Sequence, residues 1–175
     1  MTAADSEQIA RRSWVHNLSI SVNGNVTALS APSGDMGLLV GGKWSPDGAQ
    51  GVYVHNRRAV SVLAVHLGNE SPVPVADASS GGRSDFFSSA RQLGNPGADP
   101  TVKVRRRRTV IVQGITEILD IASRADQCVE TDVVLHIAGD GAAISSVKSG
   151  IVTEALLAAA RLEPPGLIGY RTVLA

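Results

Sequence analysis

Four consecutive arginines, at positions 105–108, sit inside an alternating run that begins at Val102 and Val104 and resumes at Val110 and Val112. In an extended strand successive side chains take opposite faces. The four valines then share a face with Arg106 and Arg108, while Arg105 and Arg107 take the other. Burying both guanidinium pairs is costly without compensating charge. At least one face must therefore meet solvent, acidic residues or a ligand. The guanidinium fork suits phosphate and carboxylate groups, so one reading is an anion-binding region. The other is a solvated edge, or a loop matched by Glu117 and Asp120 on the helix that follows.

The run also marks a change of texture. Before it, turns and short alternating stretches read as β-structure. Leu18, Ile20 and Val22 alternate with Ser19 and Ser21, and Asn23-Gly24 supplies the positive φ angles of a tight hairpin. Segments 37–40, 51–55 and 59–67 read as further strands, with Pro46-Asp47-Gly48 as a turn between the first two. A short helix is expected over 5–15. Residues 68–100 are rich in Gly, Ser and Pro and read as a long loop with a helical piece over 84–93.

After the run, Ile115, Ile118, Leu119 and Ala122 fall at i, i+3, i+4 and i+7, a helical stripe. Residues 133–137 read as a strand. A second helix is expected from Ile144 to Ala158, stopped by Pro164-Pro165, and a last strand over 167–174. The expected fold is a mixed α/β or α+β domain, single over 1–175. Its β-rich half, 14–67, is an antiparallel meander or partial barrel. Loop 68–100 connects it to a strand-helix-strand-helix-strand half over 101–175, whose parallel strands would need right-handed crossovers.

Composition excludes several classes. The chain has 175 residues, 16 basic and 16 acidic, and only six aromatic side chains. Residues 1–100 carry 7 basic and 8 acidic groups, and 101–175 carry 9 and 8. The arginine run is thus a local concentration on a neutral chain, which argues against a nucleic-acid platform. Cys128 is the single cysteine, so an intrachain disulfide is excluded. Segment 1–13 lacks the basic flank and apolar core of a secretory signal. The apolar stretch 59–67 is too short to span a bilayer. Cytoplasmic residence and no membrane partner are the expectations.

Three stretches carry candidate chemistry. Asp77, Ser79, Ser80, Gly81, Gly82, Arg83, Ser84 and Asp85 combine hydroxyls, a guanidinium, carboxylates and flexible backbone, in a segment of the kind that carries function. His55 precedes Asn56, Arg57 and Arg58 at a strand end. Gly139-Asp140-Gly141 lies between a strand and a helix, where Asp140 would cap the helix. It completes neither a dinucleotide fingerprint nor a Walker loop, although Ser145 and Ser146 follow. His16, His66 and His136 show no metal-ligand spacing, and His66 and His136 read as core or boundary residues.

These residues support a small enzyme or ligand-binding domain for an anionic metabolite. His55 would act as general base, with Asp77 and Ser80 as the other catalytic candidates. Arg57, Arg58, Gly81, Gly82, Arg83, Arg106 and Arg108 would bind the anion. No metal or cofactor is expected, and the chain would form a homo-oligomer. The alternative is a non-catalytic, self-assembling structural or scaffold subunit. A third reading is a nucleic-acid binder using 105–108.

Overall fold

The computed structural model describes residues 15–151 and the short strands 160–163 and 167–170. Their architecture is nearly all antiparallel β-sheet, not the α+β arrangement expected from sequence. In chain order the first strands are β1 (Ser19–Asn23), β2 (Val26–Ser30), β3 (Leu38–Val40), β4 (Lys43–Ser45), β5 (Gly51–Val54), β6 (Arg57–Val60) and β7 (Val62–Leu67). They are followed by β8 (Val73–Ser80), β9 (Arg83–Ser89), β10 (Val102–Ile111), β11 (Gly114–Ser123) and β12 (Val133–Ala138). A short helix α1 (Ile144–Lys148), β13 (Ala160–Glu163) and β14 (Leu167–Tyr170) follow, and a single 3-10 turn over Val15–Asn17 precedes β1. The expected N-terminal helix falls outside the described residues up to Val15, as does the end of the last strand. Of the second helix expected over 144–158, the chain is helical only to Lys148, leaves the helix over 149–151, and lies outside the described residues from 152.

Two four-stranded sheets dominate, ordered β1-β2-β5-β6 and β11-β10-β9-β8. The expected hairpin joins β1 to β2, but one residue later than the sequence suggests: Asn23 still pairs with Val26, the turn is Gly24-Asn25, and of the two only Gly24 has positive φ, at +57°. β6 and β7 form one bent strand, broken at Ser61. β12 pairs with β7, and the chain beyond it follows β6 through Ser61 N–H to Ala138 O (2.8 Å) and Arg58 N–H to Ala142 O (2.8 Å). That course carries Asp140 to Arg58. Val26, Ala28, Val52 and Val60 from one sheet meet Val110 from the other, and Met36 and Leu63 complete this core. A second cluster joins Leu67, Ala90, Val102 and Val104.

The expected helix at 115–122 is strand β11, paired over its whole length with β10. Positions i and i+4, here Ile115 and Leu119, satisfy a period of two as well as one of 3.6. The β-branched Ile115, Thr116, Ile118 and Ile121 favour the pleat. Tertiary pairing then decides, because Glu117 must face the inward arginines of β10. The expected loop 68–100 holds the β8–β9 hairpin, which turns at Gly81-Gly82. Segment 84–93 is therefore mostly strand, with inward Ser84, Phe86 and Ser88 alternating against outward Asp85 and Phe87. Crossovers do not arise, because every described strand pair is antiparallel.

Strand β1 inverts the face that its apolar residues suggest. Ser19 and Ser21 are buried, while Ile20 and Val22 are exposed. The serines face the second sheet, where Ser19 Oγ donates to Asp77 and Ser21 Oγ bonds Ser84 Oγ. Burying hydroxyls is tolerable when each has a partner.

Gly51 tests the packing between β5 and β6. Its φ is +142°, and an added Cβ would stand 2.5 Å from Val60 O and 2.6 Å from Arg58 Cδ. Gly51→Ala therefore combines backbone strain with overpacking and should cost about 1–3 kcal/mol. Urea denaturation monitored by circular dichroism measures this. An unchanged midpoint would show that the sheet relaxes freely there.

Candidate functional site

The arginine run lies at the centre of the second sheet, with β10 between β9 and β11. Its faces divide as the alternation requires. Arg106 and Arg108 are buried beside Val104 and Val110, whereas Arg105 and Arg107 are partly exposed. Inside, Arg106 Nε donates to Glu117 Oε1 (2.5 Å) and its Nη1 bonds Asp35. Arg108 Nη2 donates to Glu117 Oε2 (3.1 Å) and to Gly34 O (2.6 Å). Its guanidinium also lies 5.0 Å from the centre of the Phe86 ring. Outside, Arg105 and Arg83 share Asp85, Arg107 pairs with Asp120, and Arg105 stacks on Phe87.

These charges explain the carboxylate shifts. Burial raises the pKa of Glu117, but Arg108 and Arg106 outweigh it and hold the carboxyl below its ordinary range. Asp85 is held low chiefly by its hydrogen bond from Arg83, against a burial effect that raises it, with Arg105 adding to the lowering. Both groups are firmly anionic at neutral pH.

The second ionic centre is Arg58 with Asp140. Arg58 Nη2 lies 2.5 Å from Asp140 Oδ2, and its Nε spans both carboxylate oxygens at 3.1 Å. Its Nη1 donates to Gly48 O (2.9 Å) and Gln50 O (3.2 Å). Asp140 also accepts Ala142 N–H (3.2 Å), a turn-closing bond beside its main role as Arg58's counter-ion.

The other expected site residues lie around one end of the sheets. His55 and Asn56 form the β5–β6 turn, at φ 49° and 64°, and His55 is exposed. Such a two-residue turn requires positive φ at both central positions. Arg57 donates to Gly141 O (3.0 Å). His55 N–H reaches Asn25 O (3.2 Å), and Gly81 O accepts Val22 N–H (2.9 Å). Gly82 O accepts Val110 N–H (2.7 Å). The β1–β2 turn therefore stands between His55 and the Gly81-Gly82 turn. Ser80 is exposed opposite Arg83, and Asp77 bonds Ser19. Arg58, Arg106 and Arg108 point into the interior and are matched by internal carboxylates. That pairing takes Arg106 and Arg108 off the surface and leaves Arg105 and Arg107 as the partly exposed members of 105–108; Asp35 and Asp85 are partners that sequence spacing does not single out.

Two features lie away from those residues. Trp44 on β4 packs over His66 on β7 and His136 on β12, with ring centres 5.7 and 5.5 Å away; the two imidazoles are 4.9 Å apart. Burial, and then the neighbouring His66, lower the pKa of His136. A groove of about 460 Å³ lies between segments 92–96 and 125–129. Its hydrogen-bonding side chains are Gln92, Asn95, Asp126 and Gln127, in two polar loops whose composition gives no spacing signal. No described helix is long and apolar enough to cross a membrane.

No curated protein and no solved structure matches this chain. The family described as the N-terminal domain of (some) glycogen debranching enzymes matches residues 22–164. That span runs from the end of β1 past β13 and takes in both large sheets. The match overturns the expectation of a small enzyme for anionic metabolites and that of a self-assembling subunit. The chain belongs to the family of N-terminal domains of glycogen debranching enzymes.

Proposed function

We propose that this chain is an accessory, non-catalytic β-domain of an enzyme that debranches glycogen-type glucan. The family match over residues 22–164 carries the reading. The carboxylates support it. Glycoside hydrolysis commonly needs two carboxyl groups flanking the bond, one kept protonated by a raised pKa. Glu117 and Asp85 have lowered values and are bound to guanidinium groups. Asp35, Asp120 and Asp140 each hold an arginine as well. These groups serve as counter-ions to the strands that carry the arginines.

The purified chain, incubated with a branched limit dextrin, is expected to release neither glucose nor oligosaccharide above the buffer control. Reducing-sugar and chromatographic assays measure this. Release that scales with chain concentration, and survives repurification, would overturn the proposal.

A further inference from the structure

We propose that the groove between segments 92–96 and 125–129 binds a length of neutral α-glucan chain, an inference that rests on the accessory-domain reading. Its volume, about 460 Å³, lies in the range of small-molecule sites. Its lining selects the ligand class. The Gln127 amide, and the donors and acceptors of Gln92, Asn95 and Asp126 that remain beside their internal bonds, can meet paired hydroxyls. Leu93 and Val129 add apolar surface for the C–H faces of a sugar ring. Among the described residues no cationic side chain lines the groove, and Asp126 disfavours a phosphate or carboxylate ligand. No aromatic ring of the described residues lines it either, so a nucleobase finds no stacking partner among them.

The groove is built into the fold. Asn95 Nδ2 donates to Asp126 Oδ2 (2.7 Å), and Asp126 N–H donates to Asn95 Oδ1 (3.1 Å), so reciprocal bonds tie the two walls together. Asn95 N–H donates to Thr101 Oγ1 (3.0 Å). At Gly94, φ is +79° and a Cβ would collide with Thr101 Oγ1, so this wall requires glycine. Gln92 Nε2 reaches Leu67 O (3.3 Å), anchoring the wall to the end of β7. Gln127 makes no side-chain hydrogen bond to the described residues and is available to a ligand. Walls already ordered lose less conformational entropy on binding.

The single cysteine, Cys128, is exposed and lines the groove. It reports occupancy directly. Maltoheptaose binding is measured by calorimetry, and alkylation of Cys128 by a bulky maleimide is timed across the same titration. Maltoheptaose is expected to slow alkylation in step with saturation, and inorganic phosphate is expected to leave it unchanged. Gln127→Ala, which removes no internal bond, should raise the half-protecting concentration about fivefold at unchanged thermal stability. The proposal is overturned if maltoheptaose does not bind, if it binds without protecting Cys128, or if phosphate protects equally. The accessory-domain reading stands or falls separately, on the limit-dextrin assay.

Discussion

Arg58→Ala is expected to be the most damaging substitution at a charged position, lowering unfolding free energy by about 3–5 kcal/mol. The reason is geometric. The side chains of Arg58 and Asp140 are 3% and 0% exposed, so neither ion can recover water when the other is removed. The same guanidinium holds Gly48 O and Gln50 O, and both bonds go with it. Tyr53, whose pKa burial raises against the lowering effect of Arg58, would keep only the raising influences of burial and Asp140. Domains of this size are stable by about 5–15 kcal/mol, so the variant would sit near the edge of folding. Arg58→Lys keeps the charge but loses the fork, and should fall between parent and alanine variant. Urea midpoints for the three proteins settle the matter. An alanine variant as stable as the parent would mean that the pair contributes no more than a surface bridge.

Glu117→Ala is expected to lose about 3 kcal/mol, the lower end of the same range. This carboxylate joins Arg106 and Arg108 on the inner face of β10, and without it Asp35 alone would answer two buried charges. Its side chain keeps 18% exposure, so some water already screens the interaction. The effect has a pH signature. A carboxyl whose folded pKa is depressed stabilises the fold fully above its unfolded value. That contribution is lost as pH falls through the lower folded value. The ordinary value is 4.5 and the shift is downward, so the loss occurs in acid below that point. Thermal unfolding of the parent should therefore decline through this range more steeply than that of Glu117→Ala. Parallel pH profiles for the two proteins would refute the assignment.

The arginine run itself was legible. Alternation placed Arg106 and Arg108 with the valines, and β10 has that division. Glu117 and Asp120 were identifiable as counter-charges, though on a strand and not on a helix. Asp35 lies 71 residues from Arg106 and Asp140 lies 82 residues from Arg58, so local spacing could not connect them. The groove was not legible either. Gln92, Asn95, Asp126 and Gln127 belong to two loops that only the ends of β9 and β11 bring together. The family was also not readable from motifs, since it is recognised over the whole of 22–164.

By itself, the sequence determined the β1–β2 hairpin with Gly24 in its turn, the extended form of the arginine run and the faces of its side chains. Those depend on local stereochemistry: positive φ at glycine, and a period of two along a strand. Tertiary structure alone decided that Ser19 and Ser21 face inward while Ile20 and Val22 face out, and that Ile115 and Leu119 belong to a strand. A strand has two faces, and only the neighbouring sheet determines which is buried. Positions i and i+4 fit helix and strand alike, and the ladder to β10, with Glu117 turned toward two buried arginines, made the choice.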